Sequence, residues 1–564
     1  MDHFPLHPLR RSQVLDGTWD FAWLGEAEFD AVDPRQPCPE AAAVPGTFDA
    51  GSRRHGARGV GLYRRTVRFP AAAGERLRLH LDGLGLRARV WWDGIAVGGC
   101  DLPYSGHAID LSGDGAAVHQ LVIAVDNRFD ARRSPLFPPY SDFYAYGGIY
   151  RSVRLEALPA LALARVRVTT CDLAAARVRL ELRLEGAVPA ELPLELAFDD
   201  GAAERVTVRP LGGVAVLERT VPGAQPWSPD HPELHTVRVA VGGDEIVERF
   251  GLRTVATRGD AILLNGEPIR LIGVNRHEAH PQFGPAQPRA LILDDLHLIK
   301  ELGCNFVRAV HYPQDPAFHD LCDRLGLLVW EESLGWQLGE AALTDPACVA
   351  QVVEQTRRMA AQGINHPSVI LWGFLNESAS HLASTAPAYA AVVAAVRTED
   401  PSRLVSWASD KPDTDVNFAL ADVVSVNTYP GWFDPRADWD STAVAVIRPH
   451  LARLAARLRT RPGVEDKPLL VSEIGTCALY GCHDRAHAQW SEEFQADYMV
   501  EACRGVIDDA RWAGLALWQF GDSRSYVGAG DVRGKPRGYN CAGLVDEFRR
   551  PKLAFDAVKK AVLA

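Results

Sequence analysis

Residues 369–378 read VILWGFLNES, seven apolar residues or glycine in a row and then Asn376 and Glu377. An unbroken apolar run of this length is what a strand buried on both faces looks like, whereas a half-exposed strand alternates. Its polar ending is ordinary if the chain is simply leaving the core there. It carries chemistry only if the fold gathers further polar strand ends around it.

The same texture recurs on both sides of this stretch. Beyond Arg258-Gly259, the runs IRLIGVN (269–275), FVRAVHY (306–312), LLVWEE (327–332), LVSWAS (404–409), VVSVNTY (423–429), LLVSEIG (469–475) and LALWQF (515–520) are strand candidates. Between them, LILDDLHLIKELG (291–303), PAFHDLCDRLG (316–326), CVAQVVEQTRRMAAQG (348–363) and AYAAVVAAVRTED (388–400) repeat apolar residues at helical spacing. Eight strands alternating with helices over about 300 residues predict a (β/α)8 TIM barrel, in which the C-terminal strand ends form the active face. A doubly wound sheet needs no fixed strand number, but its dinucleotide fingerprint is missing: the glycines of GVGLY (59–63) precede no helical pattern.

Upstream the pattern is all-β. Alternating runs such as RLRLHL (76–81) and LRARVWW (86–92), with turns at Asp82-Gly83 and Asp93-Gly94, predict an antiparallel sandwich over residues 1–157. A second sandwich is expected over 158–256, from VRLELRLEG (178–186) and HTVRVAV (235–241), with QPWSPDHPEL (225–234) as a loop. The barrel then occupies 257–564.

A chain of 564 residues needs more than one core, and 47% hydrophobic with 23% charged residues is the composition of a soluble globular protein. The formal net charge of -12 comes without a long basic tract, so no nucleic-acid partner is expected. No stretch of about 18 uncharged apolar residues occurs, so no membrane partner is expected either. The opening MDHFPLHPLRRSQVLDG lacks the apolar segment of a signal peptide, which predicts a cytoplasmic protein. Ten cysteines without metal-type spacing, the nearest pair being Cys477 and Cys482, read as reduced structural thiols.

The predicted strand ends are rich in polar groups: Asn275, Arg276 and His277, then Arg308 and His311, then Glu331 and Glu332, with Tyr429, Glu473 and Trp518 on the sixth, seventh and eighth strands. Glu377 and Glu473 fall on strands four and seven, roughly across the barrel. Two facing carboxylates are what glycoside hydrolysis requires, one protonated to assist the departing oxygen and one ionised to attack the anomeric carbon. Asn376 can bond a sugar hydroxyl, and Trp518 can offer an apolar face to the ring. His277, Glu278 and His280 form HExH rather than the HExxH of zinc helices, so no metal is expected.

The motifs SDFYAYGGIYRSV (141–153), LNGEPIRLIGVNRHE (264–278), VRAVHYPQDPAFHDLCDRLGLLVWEE (307–332), NHPSVILWGFLNES (365–378), NTYPGWF (427–433), SEIG (472–475) and QWSEEFQADYM (489–499) resemble glycoside hydrolase family 2, and most closely its β-glucuronidases. The resemblance covers nearly the whole chain and implies a jelly-roll domain, an immunoglobulin-like sandwich and the barrel. It implies Glu377 as acid/base and Glu473 as nucleophile of a retaining exo-β-glycosidase, with no cofactor, a carbohydrate substrate and a homo-oligomeric state. Asp142, His311, Asn376, Tyr429 and Trp518 match substrate-contacting positions; ordinary packing or a domain-interface hydrogen bond is the rival reading for Asp142, Tyr429 and Trp518, and a satisfied core histidine for His311.

Two departures bear on the substrate. β-Glucuronidases carry an Asn-X-Lys signature for the uronate carboxylate, and this chain has Asn540-Cys541-Ala542. Phe433 stands where those enzymes usually have tyrosine. The loop 530–540 offers Arg533, Lys535 and Arg537 instead, and an arginine can hold a carboxylate bidentately. Arg537 and Asn540 are therefore expected at the substrate, a β-glucuronide. A neutral β-glycoside such as a β-galactoside is the alternative, and a non-catalytic carbohydrate-binding protein is a more remote one.

Overall fold

The computed structural model describes residues 4–130, 133, 142–432, 444–526 and 535–564. Arg533 and Phe433 lie outside the described residues. The molecule is multidomain, two antiparallel β units followed by a parallel α/β barrel.

The barrel strands are β1 (Leu271–His277), β2 (Phe306–Val310), β3 (Leu328–Glu332), β4 (Val369–Gly373), β5 (Leu404–Ser406 and Ala408–Ser409), β6 (Val424–Asn427), β7 (Leu469–Ile474) and β8 (Trp512–Leu517). Each pairs in parallel with its neighbours, and β1 pairs with both β2 and β8. The two pieces of β5 flank Trp407, the first pairing with β4 and the second with β6, which closes the ring.

Two apolar layers hold these strands. Inward-facing Leu271, Phe306, Leu328, Trp330, Leu371, Leu404, Leu470 and Ala516 pack on Trp227, Ile262 and Leu264. Ile262 and Leu264 come from a short antiparallel sheet, Val255–Arg258, Ala261–Leu264 and Glu267–Ile269, which precedes the barrel. The N-terminal end of the barrel interior is thereby plugged with apolar side chains. The outer layer joins strands to helices through residues such as Val307, Phe318, Trp372 and Val471.

The helices start and stop for local reasons. Pro316–Leu325 begins with Asp315 accepting from the Ala317 N–H at 2.8 Å and ends at left-handed Gly326. Pro346–Gly363 has the same start at Asp345, with proline in its first turn. Ile447–Arg459, Glu492–Ile507 and Leu553–Leu563 are helices that the apolar spacing did not single out.

Ahead of the barrel, a six-stranded and a four-stranded antiparallel sheet enclose one core, with Trp19, Leu79, Val90 and Ile123 among its members. A second sandwich, of three and four strands, starts at Leu161–Asp172 and ends at Asp244–Phe250. The loop 225–234 leaves it to bury Trp227 beneath the barrel, where the indole N–H donates to the Asp323 carbonyl at 2.8 Å. The first sandwich is pinned to the barrel mouth by Arg151, which is buried and donates to Glu278 at 2.8 Å and to the Pro313 carbonyl at 2.7 Å. This bond brings residues 142–150 over the strand ends. No helix among the described residues is long and apolar enough to cross a membrane. The ten cysteines are unpaired.

Candidate active site

The C-terminal ends of β1, β2, β3, β4, β6 and β7 converge on one hydrogen-bond network whose centre is Arg308. This guanidinium is fully buried. It donates to Glu332 Oε1 at 2.7 Å and 2.9 Å, to Glu473 Oε1 at 2.6 Å, to Asn275 Oδ1 at 2.9 Å and to Asn376 Oδ1 at 2.8 Å. Its face rests on Trp330, 4.8 Å from the ring centre. One cation therefore serves two carboxylates and orients two amides, a use suited to the planar fork of arginine.

Glu473 receives its second strong bond from the Tyr429 hydroxyl, which donates to Oε2 at 2.6 Å. Burial raises the Glu473 carboxyl above the usual range, while Arg308 and the phenol oppose that rise. Glu377 has a different environment. Asn427 Nδ2 donates to its Oε1 at 2.9 Å and Gln337 Nε2 donates to its Oε2 at 2.9 Å, and among the described residues no guanidinium bonds it. Burial, reinforced by the charges of Glu473 and Asp410, pushes Glu377 up to about 8. Two nearby carboxylates thus have environments that separate their roles, one paired with a cation and one favoured as the neutral acid.

Both carboxylates belong to the same network, because Asn427 Nδ2 also reaches Asn376 Oδ1 at 3.3 Å. Asn376 spends its Oδ1 on Arg308 and Asn427 and keeps a buried Nδ2 without a partner. His311 gives Nδ1 to Glu332 at 3.0 Å and stacks on Trp518 with 5.5 Å between ring centres. Its Nε2 is buried and unpartnered as well, and burial holds the imidazole neutral. These unmet groups at the barrel mouth are hydrogen-bonding capacity available to a bound molecule.

The wall is completed from outside the barrel. Asp142 forms an ion pair with Lys535 and accepts from Asn540 Nδ2 at 3.0 Å, and Ser525 Oγ donates to its carbonyl at 2.9 Å. Arg537 does not join this group. It is half-exposed, with left-handed backbone at φ 60°, and its guanidinium donates to Glu547 at 2.9 Å. Lys535, two residues earlier, turns inward to Asp142. Ala542 sits buried against Trp518, Val310, Cys477 and Cys541, an apolar contact with no polar group to offer.

The network thus joins Glu377, Glu473, Asn376, His311 and Tyr429, the loop group joins Asp142 and Asn540, and Trp518 packs beside His311. Sequence reading passed over Asn427 and Gln337, and it did not assign Arg308 a site role. Asn427 carries one signal, its spacing two residues before Tyr429 on the same strand end; Gln337 lies in a loop and carries none. His277, Glu278 and His280 are drawn apart: Glu278 pairs with Arg151, His277 packs on Phe143, and His280 stacks on Phe283. The groupings with ligand spacing among the described residues, Asp93–Asp114–His119 and Asp320–Asp323–His366, lie elsewhere.

Residues 255–563 match the family described as glycosyl hydrolases family 2, TIM barrel domain. The β-glucuronidase of Rattus norvegicus is 27% identical over 97% of this chain and 90% of its own length. A family 2 β-galacturonidase from Eisenbergiella tayi, solved with galacturonate, superposes with a TM-score of 0.88 at 32% identity, covering 99% of this chain and 98% of that one. A β-glucuronidase of Faecalibacterium prausnitzii superposes with a TM-score of 0.85 at 25% identity, covering 98% of each chain.

Proposed function

The chain belongs to glycosyl hydrolase family 2 and is a β-glycosidase, and from that premise we propose that it removes a terminal β-linked hexuronic acid with retention of configuration. In the first step Glu473 attacks the anomeric carbon while Glu377 gives its proton to the leaving oxygen, forming a glycosyl ester on Glu473. In the second step water, deprotonated by Glu377, attacks the same carbon and releases Glu473. The carboxyl groups of a retaining pair lie about 5–5.5 Å apart.

The environments described above favour this division of labour. Arg308 on Oε1 and Tyr429 on Oε2 stabilise the carboxylate of Glu473 and fix its orientation. Glu377 is raised partly by the charge on Glu473. That charge disappears in the ester, so Glu377 becomes the stronger acid and its ionised form becomes available as the base.

The observation that carries the uronide reading is Lys535, whose ammonium is drawn into the wall beside Asp142 and Asn540. A substrate carboxylate desolvated in a pocket requires a cation, and a neutral sugar requires none. The relatives named above act on hexuronides of both gluco and galacto configuration, which supports the class and leaves glucuronide as the first choice. Ala542 favours a second reading, a β-galactoside, because the position that holds lysine in the β-glucuronidase signature here has only a methyl group. Ten unpaired cysteines suit a cytoplasmic setting. The homo-oligomer implied by the family belongs to the same proposal.

Matched aryl β-glycosides test it: glucuronide and galacturonide against galactoside, glucoside and arabinopyranoside. A uronide is expected to have the highest kcat/KM. Lys535→Met is expected to lower that value by about 10- to 100-fold while sparing neutral glycosides. A neutral sugar turned over best would overturn the uronide reading and leave the carboxylate roles standing.

A further inference from the structure

We propose that Gln337 is a positioning residue controlling the proton of Glu377, holding the carboxylate form and swinging away when a leaving group enters; this rests on the reading of Glu377 as acid and base. The two amides that bond Glu377 differ in freedom. Asn427 is buried, and its Oδ1 accepts from Ser472 Oγ at 2.7 Å while its Nδ2 is shared with Asn376. Turning it would break all of these bonds. Gln337 is exposed on the loop after β3, and its side chain can move while its backbone N–H stays bonded to the Asn376 carbonyl at 2.8 Å.

A carboxylate can accept from both amides at once. A carboxylic acid must use one oxygen for its own O–H, and for catalysis that O–H has to point at the glycosidic oxygen. Among the described residues no donor other than Gln337 bonds Oε2, so Oε2 is the oxygen that can be freed. The leaving group accordingly enters on the Gln337 side and takes the place of its amide. Once the glycosyl ester has formed and the leaving group has gone, the amide returns to Oε2 and supports the ionised base. The other charged or titratable groups facing Glu377 are Glu473 on β7, Asp410 and Lys411 after β5, Tyr429 after β6, and Arg308 on β2 acting through Asn376. Glu473 and Asp410 favour the neutral acid, and the two amides favour the anion.

Gln337→Met keeps length and shape and removes the donor at a solvent-exposed position. With a phenyl β-glycoside of the preferred sugar, whose departure needs the acid, the alkaline limb of kcat/KM is expected to move up by about half a pH unit or more. The unfolding midpoint is expected to stay put, and Gln337→Asn is expected to move the limb part of the way back. A Gln337→Met limb that stays at the wild-type pH overturns the inference. Glu377→Gln on a 2,4-dinitrophenyl glycoside is the separate control. If this variant loses kcat/KM equally on that substrate and on the phenyl glycoside, Glu377 is not the acid, and the acid/base reading fails along with the inference. If the variant is spared on the dinitrophenyl substrate and crippled on the phenyl one while Gln337→Met leaves the limb unmoved, only the inference fails.

Discussion

At the scale of residues, the site depends on a single buried cation divided between two carboxylates. Arg308→Lys retains the charge and loses the fork. A lysine ammonium can satisfy Glu332 or Glu473 but cannot reproduce the five-bond arrangement seen here. Arg308 lowers the carboxyl of Glu473 against the effect of burial, so weakening that contact raises it. Glu473 has to be ionised to attack, and the acid limb of kcat/KM is therefore expected to move to higher pH, with kcat down by about 100-fold or more. A pH–rate profile alongside thermal melting checks this; an unmoved limb in a folded variant would contradict the role of Arg308. Glu377 and Glu473 could be singled out in the sequence because each ends or interrupts an apolar strand. Lys535 and Arg537 could not be told apart there: they lie two residues apart in one basic loop, and the left-handed turn at Arg537 with Glu547 beside it decides which points inward.

At the scale of elements, strands were easier to recognise than helices, and the reason is burial. Every barrel strand is enclosed on both faces, so its sequence is a nearly continuous apolar run. Ile447–Arg459 covers the barrel with one face only and carries four arginines, so Ile447, Leu451, Leu454 and Leu458 are diluted by charge. The strand ends also depend on small residues that the apolar pattern does not explain. At Gly373 on β4 an ideal Cβ would lie 1.9 Å from Trp330 Nε1 and 2.9 Å from Glu332 Cγ. Trp330 is the surface on which Arg308 rests. Gly373→Ala is expected to destabilise the protein by about 1–3 kcal/mol through overpacking, and to depress activity by displacing Arg308 and Glu332. Urea unfolding and kcat/KM on the preferred aryl glycoside test both halves, and wild-type values in the variant would contradict this account of the strand end.

At the scale of the whole molecule, the barrel supplies the chemistry and the first sandwich supplies part of the wall. Arg151 is the covalently distant but physically direct link, joining the sandwich to Glu278 on the barrel and bringing Asp142 toward Lys535 and Asn540. The alternating and continuous apolar patterns made the order of β units and barrel legible, since each pattern reports how many faces of a strand are covered. The contact between sandwich and barrel was not legible, because the partners in it, Arg151 with Glu278 and the rings of Tyr104 and Phe143 with Tyr312, lie more than a hundred positions apart in the chain. All of this converges on Glu473 as the group that bonds to sugar. The most direct measurement is mass spectrometry of the intact protein and its peptides after treatment with a 2-deoxy-2-fluoro-β-glycosyl fluoride of the preferred uronic acid, an analogue that slows release of the ester. The account predicts one glycosyl group per chain, carried on Glu473 and lost with return of activity on dilution. Labelling of Glu377 instead, or full turnover of the β-glycoside to the α-configured sugar with no adduct at Glu473, would contradict it.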